Sequence, residues 1–274
     1  MMKCFDDQLE YICIERLKLP VETVRACETL YPQFCVETIL DESWETAEAH
    51  LRERSPLEIL CIYLLTIPEL RRRYEKKGIP EDILWNGLRD ISIWAAEYEQ
   101  RYQRPGIAEW RWVAKTLRME VFRLGRLQFE PTYLQQELRY DGETVPSGTS
   151  ALNVHIPAGE PLTENAACES LGRAKAFFRN YLDFDAQIMC CDSWLLSPAL
   201  QDLLPQESNI LRFQKMFNIY ATRKNRQAEE RVFGCVKENP AEYPQNTLLQ
   251  WKMKEYLQAG KHIDAGLGVV KSGL

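Results

Sequence analysis

The sequence predicts an α/β (α+β) protein of two modules, a helical bundle over about residues 1–116 and a mixed β-sheet flanked by helices over about residues 117–274. Three observations carry this. Up to Thr116 apolar residues recur at steps of three or four, the period of a half-buried helix. Near Leu117 the period changes to two. A strand, a long helix and a second apolar strand then follow one another between Leu152 and Leu196, a βαβ unit whose strands run parallel with a right-handed crossover.

Composition narrows the function classes. The hydrophobic fraction of 45% with 27% charged residues is ordinary for a globular chain with a sizeable core. A net charge of −6 without a long basic face argues against nucleic acid as a main partner. The basic cluster Arg71-Arg72-Arg73, then Lys76-Lys77 and Gly78, reads as a helix C-terminus whose cations oppose the macrodipole, with glycine after the cap. The opening MMKCFDDQLE carries acidic residues where a secretory signal needs an apolar core. The longest apolar run, Leu57 to Ile67, is stopped by Pro68 and is too short to span a bilayer, so no membrane is expected. The nine cysteines include no C-x-x-C pair and there are only three histidines, so no metal site is expected, and reduced core thiols suit a cytoplasmic protein.

In the first half, Phe5, Leu9, Ile12 and Leu17 lie close to helical spacing, and Pro20 starts a second helix through Leu30. Trp44, Ala47 and Leu51 form a third stripe. Ser55-Pro56-Leu57-Glu58 is a capping box that opens a helix, Leu57 to Thr66, apolar on almost every side and hence buried. Pro80 opens another helix bearing Leu84, Leu88, Ile91 and Trp94, with Asp90 beside that face as a cap or ion-pair partner. Trp85, Trp94, Trp110 and Trp112 suit either the core or the wall of a hydrophobic pocket.

In the second half, Met119 to Glu130 reads as one strand with a bulge at Gly125, placing Arg123 and Arg126 on opposite faces. Tyr133 to Tyr140 is a second strand ended by Asp141-Gly142, and Glu143 to Ser150 a loop. Leu152, Val154 and Ile156 alternate with Asn153 and His155. Thr163 caps a long helix with Cys168, Leu171, Ala174, Phe178 and Leu182 along its buried face. The strand Gln187 to Leu196 follows, and Ser197-Pro198 reads as the cap and first residue of a short helix. Ser208 caps a further turn. Asn218 to Thr222 and Arg231 to Val236 read as two strands, Asn246 or Thr247 opens a last helix, and His262 to Val270 adds an edge strand.

Parallel direction brings His155 and the Cys191-Asp192-Ser193 cluster to one end of the sheet, where open α/β sheets bind ligands. His155 suits a general base, or a histidine hydrogen-bonded at a strand end. Asp192 in an apolar strand needs a partner, supplied by Arg123, Arg126 or Arg212. Ser193 can donate to a ligand or satisfy the backbone. Cys191 beside Asp192 reads as an inert buried thiol.

The segments FRLGRLQFE (122–130), NVHIP (153–157), DSWLL (192–196), SNILRF (208–213), VFG (232–234) and TLLQ (247–250) resemble, in this order, a GNAT-type N-acyltransferase domain behind a helical N-terminal domain. The resemblance implies acyl-coenzyme A held where two parallel strands splay, and transfer of its acyl group to the amine of a small-molecule acceptor in a ternary complex. Taken with the strand-end geometry above, this reading expects catalytic roles for His155, Asp192 and Ser193, cofactor contacts from Ile156, Ala158 and Gly159, and substrate contacts from Arg123, Arg126 and Trp194. One departure stands out. The glycine-rich Q/R-x-x-G-x-G/A turn that holds pyrophosphate is replaced by Ala158-Gly-Glu-Pro-Leu-Thr-Glu-Asn165, with Glu160 and Glu164 as anions. A non-catalytic small-molecule-binding or regulatory protein that keeps the fold is the alternative this turn leaves open.

Overall fold

In the computed structural model, described over residues 6–30 and 37–273, the chain divides into two compact units. The first holds residues 1–124 with 157–159, the second residues 125–156 with 160–274. Phe5 lies outside the described residues.

The first unit begins with α1 (Asp7–Tyr11), capped by Asp6, which runs into a π-helical turn, Ile12–Arg16. Helix α2 (Val21–Leu30) follows Pro20, and α3 (Glu37–Asp41) precedes α4 (Trp44–Arg52), which buries Ala47 and Leu51. The capping box forms at Ser55 and Glu58, but the helix it opens, α5 (Pro56–Lys76), continues through Pro68. A proline inside a helix costs about 3 kcal/mol. Leu60, Leu64, Ile67 and Leu70 around it are fully buried, and each such side chain contributes roughly 1.5–3 kcal/mol, so packing wins. The helix ends at Lys77, with Gly78 in the left-handed region at φ +68°, as the basic cluster predicts. Helices α6 (Glu81–Tyr102) and α7 (Trp110–Leu117) and strand β1 (Phe122–Leu124) complete the unit.

Within the first unit Asp90 is buried, accepts a hydrogen bond from Trp112 Nε1 at 3.0 Å and lies 3.9 Å from the buried guanidinium of Arg123. This is the ion-pair role expected of Asp90. Trp110 stacks on Trp44 and Arg16 lies over Trp85, and all four tryptophans singled out are half-buried in the helical packing.

In the second unit the single strand expected from Met119 to Glu130 is broken by a turn at Gly125 and Arg126. Gly125 has φ +80°, and β2 (Leu127–Tyr133) starts afresh after it. Alternation across the turn therefore does not relate Arg123 to Arg126. The region expected as strand then loop is instead a hairpin, β3 (Leu138–Tyr140) and β4 (Glu143–Val145). Asp141 and Gly142 both take positive φ, as a two-residue hairpin turn requires. Strand β5 (Ser150–His155) leads to α8 (Glu164–Leu182), with Thr163 as its cap.

Strand β6 (Ile188–Ser193) is shorter than expected, because Ser193 Oγ accepts from Leu195 N and bends the chain into a 3₁₀ turn, Trp194–Leu196. Helix α9 (Leu200–Leu203) therefore starts after Ala199, not at Pro198. Helix α10 (Asn209–Gln214) is capped by Ser208 and precedes β7 (Phe217–Arg223). The strand expected at Arg231 to Val236 is helix α11 (Gln227–Phe233). Its Ala228 and Phe233 join a cluster with Leu200, Leu203, Leu211 and Tyr243, and Gly234 terminates it at φ +73°. A 3₁₀ turn at Pro240–Glu242, helix α12 (Leu248–Gln258) capped by Thr247, and β8 (Ala265–Val270) end the unit.

The main sheet of this unit runs β2-β5-β6-β8-β7, with β5 and β6 parallel as the βαβ rule predicts and the other pairs antiparallel. The tail strand β8 is thus internal, not an edge. Its glycines explain the place: a Cβ on Gly266 would stand 2.1 Å from Leu196 O, so only glycine lets the 3₁₀ turn close onto the strand.

Candidate functional site

The parallel register pairs Leu152 with Met189 and Asn153 with Cys190, and there it stops. Beyond that point β5 stays with β2, His155 opposite Gln128, while β6 stays with β8, Asp192 opposite Leu267. The two parallel strands part. His155 and Asp192 each stand two residues past the last pair, so they occupy matching heights on the two sides of the gap.

Side chains alternate between faces. Leu152, Val154, Met189, Cys191 and Ser193 point to the buried face, and Asn153, His155, Cys190 and Asp192 share the other. His155 and Asp192 are therefore on one face at one end of the sheet, as the parallel-strand rule places them. His155 Nε2 lies 3.0 Å from Glu130 Oε2, and both side chains are mostly buried. A carboxylate against imidazole fixes the orientation of the ring, the arrangement that suits an imidazole taking a proton.

Asp192 differs from expectation. It is exposed, and its partner is none of the three arginines considered but Arg223 of β7, whose Nε and Nη2 donate to Oδ2 at 3.0 and 2.8 Å. The strand is apolar on one face only, and Asp192 falls on the other. Ser193 does not join His155. It lies on the opposite face with its hydroxyl oxygen capping Leu195 N.

Trp194 donates its backbone N–H to Gln227 Oε1 and packs on the α9–α12 cluster, away from this face. Arg123 is the buried partner of Asp90 in the first unit. Arg126 is also buried. Its backbone N–H bonds Ser170 Oγ and its Nε bonds Pro161 O, which ties it to the segment leading into α8. Ile156 is half-buried just past β5, and Ala158 and Gly159 are exposed in the stretch grouped with the first unit.

One further phenol lies on β7, two strands from β6. At β7 the register with β8 slips between Ile219 and Ala221, leaving Tyr220 as the extra residue of a bulge. Burial, then the charges of Cys190 and Asp192, push its phenol up to about 12. Burial alone pushes the Cys190 thiol up to about 11, and burial with Asp192 and Cys190 raises Cys191 further, so neither is an activated nucleophile. Glu130, Arg223 and Tyr220 escaped the sequence reading. The alternation Gln128, Glu130 beside His155 was the one available signal, while Arg223 and Tyr220 depend on β8 inserting between β6 and β7.

Among the described residues no group of three or more His, Cys, Asp or Glu is placed to hold a metal ion, and no helix is long and apolar enough to cross a membrane.

No curated protein sequence matches the chain. Several solved structures do. A crystal structure of an acyltransferase in complex with decanoyl-CoA and teicoplanin is similar at TM-score 0.79 and 24% identity, over 98% of this chain and 90% of that one. A complex of acyltransferase with CoA and 10C-teicoplanin aligns at TM-score 0.78 and 23% identity, over 99% and 89% of the two chains. A complex with decanoyl-CoA aligns at 0.73 and 25% identity, over 94% and 86%. The model of the N-acyltransferase N-terminal domain matches residues 12–119, and that of the GNAT-like C-terminal domain matches residues 121–270. With more than half its length in the second of these, the chain belongs to the family of GNAT-like C-terminal domains, carried behind an N-acyltransferase N-terminal domain.

Proposed function

We propose that the protein transfers an acyl group from acyl-coenzyme A to the amine of a small-molecule acceptor, with residues 1–116 as a helical module and 117–274 bearing the chemistry. The observation that carries this is the gap between β5 and β6 beyond Asn153 and Cys190, with His155 and Glu130 on its rim. A gap between two parallel strands offers unpaired backbone N–H and C=O groups to an amide-bearing chain such as pantetheine. Acyl-CoA complexes of the similar acyltransferases support the donor.

In the reaction the amine nitrogen attacks the thioester carbonyl carbon. The C–N bond forms, the C–S bond breaks, and coenzyme A leaves as a thiolate that takes a proton. His155 removes the amine proton, directly or through water, and Glu130 stabilises the imidazolium that results. Asp192, neutralised by Arg223, contributes position and polarity at the opposite side of the gap. Ser193 has a capping role, and Arg126 supports the approach to α8. A cytoplasmic setting belongs to the same reading, supported by the described cysteines being free thiols.

The test is a titration with acetyl- and longer acyl-coenzyme A, followed by melting temperature and by thiol release with primary amines. A ligand bound only to the folded state raises the melting temperature by mass action. The expected result is a rise with a preferred chain length and amine-dependent thiol release. A melting shift without turnover would favour the non-catalytic binding reading. No shift at millimolar thioester would remove coenzyme A from the account.

A further inference from the structure

The β2–β5 pair is apolar on one side and polar on the other. Gln128 and Glu130 of β2 share the polar side with Asn153 and His155 of β5, Gln128 opposite His155 and Glu130 opposite Asn153. Gln128 is buried and the other three are half-buried. Polar groups withdrawn from water cost free energy unless they are hydrogen-bonded. Glu130 and His155 meet this by bonding each other at 3.0 Å. Asn153 does not: among the described residues no group donates to its carboxamide or accepts from it.

Its height gives the amide a use. Asn153 and Cys190 form the last parallel pair of β5 and β6, so Asn153 stands at the closed end of the gap. His155 stands two residues nearer the open end, on the same face. The thioester carbon has to lie close to the amine whose proton His155 takes. Between His155 and the closed end, Asn153 is the β5 side chain on that face. Two residues of rise set the two side chains about 6.6 Å apart at their bases. That leaves room for one amine nitrogen and one carbonyl between them, since reacting atoms approach to about 3–3.5 Å.

Chemistry selects the role. As the amine attacks, negative charge gathers on the thioester oxygen, and a fixed donor aimed at that oxygen lowers the barrier. Glu130 and Asp192 are ionised acceptors already engaged by His155 and Arg223, so neither supplies a donor. Cys190, level with Asn153, has only a weak S–H donor. The carboxamide supplies two N–H donors and no charge.

We propose that Asn153 is a catalytic residue of the transfer, its side-chain N–H donating to the thioester carbonyl oxygen and holding the oxyanion formed when the C–N bond is made. The oxyanion then restores the carbonyl as the C–S bond breaks and coenzyme A leaves as a thiolate. This deepens the acyltransferase reading above and rests on it. The test uses the whole chain and acetyl-coenzyme A with an isotopically labelled thioester carbonyl, whose stretch is read by infrared difference spectra without any amine present. In the wild type the bound carbonyl is expected at lower frequency than in the free thioester. Asn153→Ala is expected to move it back toward the free position, with donor affinity within threefold. With primary amines the same variant is expected to lower kcat about 100–1000-fold, the cost of one lost oxyanion donor. The pH profile of kcat/KM should stay in place, because the His155–Glu130 pair is untouched. Asn153→Asp keeps the shape, exchanges the donor for a carboxylate, and is expected to lose at least as much. An unmoved carbonyl band in both variants, kcat within threefold of wild type in either, or a displaced pH profile in Asn153→Ala would overturn the proposal. A wild type that binds no coenzyme A thioester, or binds it and acylates no amine, overturns the acyltransferase reading and this role with it, and is seen before any variant is made.

Discussion

Glu130 and His155 meet diagonally across β2 and β5, Oε2 to Nε2 at 3.0 Å, although the residue directly opposite His155 is Gln128. Diagonal neighbours on one face are within reach of long side chains. The contact makes the histidine part of a pair. His155→Gln should lower kcat by about 100-fold or more, the low end of what a general base contributes. Glu130→Gln should lower it roughly tenfold, because the ring stays and only its orienting carboxylate is neutralised. Both should melt close to the wild type. Turnover of His155→Gln within threefold of wild type would remove the base from the mechanism.

Asp192 and Arg223 form an exposed ion pair, with side chains 43% and 55% accessible. Such pairs contribute about 0–1 kcal/mol. Asp192→Asn should therefore cost less than about 1 kcal/mol in urea unfolding, not the several kcal/mol of a buried carboxylate. Its effect on turnover should be matched by Arg223→Gln if the pair acts as a unit, and a double variant should then lose no more than either single one.

How much of this was legible in the sequence depends on range. The capping box at Ser55, the caps at Thr163, Ser208 and Thr247, and the parallel pair holding His155 and Asp192 follow from local residue types and one chirality rule. Pro68 misled because a local breaker was outweighed by burial on every side of α5. Arg231 to Val236 misled because a short apolar run does not distinguish strand from helix, and contacts from Gln227, Ala228 and Phe233 decide it. Asp192's partner was out of reach, since it depends on β8 threading between β6 and β7 with Gly266 and Gly268 at the closest approach. The face, more than the strand, determines whether a carboxylate is buried.

The clearest pH-sensitive element lies outside the gap. Burial works against the Glu229 carboxylate, but hydrogen bonds from Arg226 at 2.6 Å and from Tyr243 hold it below the usual range. A carboxylate held low in the folded state stabilises the fold above its unfolded value, near 4.3, and that stability is lost as pH falls through the folded value. Glu229→Gln should destabilise by roughly 1–3 kcal/mol at pH 7, less than a fully buried pair because Arg226 is partly exposed. The wild type should lose this advantage progressively as pH falls below the unfolded value and through the lower folded one, so unfolding curves of the two should converge toward acid pH. A constant gap from pH 7 to 3 would show that packing, not charge, holds α11.

Gly266→Ala tests the closure of the 3₁₀ turn on β8. The added Cβ would stand 2.1 Å from Leu196 O and 2.6 Å from Leu196 C, and backbone cannot yield as a side-chain tip can. The expected cost is about 3 kcal/mol or more, at the upper end for single substitutions. Gly260→Ala serves as the contrast: no atom lies within 4 Å of its Cβ, and its φ of +75° limits the cost to local strain of about 1–2 kcal/mol. Equal losses in the two variants would show that close approach does not decide the place of β8.

The start of α8 carries carboxylates where the resemblance implies a glycine-rich pyrophosphate turn. Thr163 accepts from Ala166 N, Glu164 occupies the first turn, and Glu160 lies a few residues before it. An uncapped helix N-terminus attracts phosphate through its free N–H groups and dipole. Carboxylates there occupy the same field, each worth about 0.3–1 kcal/mol, and repel a pyrophosphate. Glu160→Gln with Glu164→Gln should therefore tighten coenzyme A binding by roughly 3–30-fold at low salt. The gain should fade toward 1 M salt, where the Debye length shrinks to about 3 Å. The same change removes a favourable helix–dipole interaction, so the unliganded protein should melt slightly lower while binding more tightly. Opposite signs in one variant separate an electrostatic effect on the ligand from a general change in the fold. Unchanged or weaker binding would mean that the pyrophosphate is held away from this helix end.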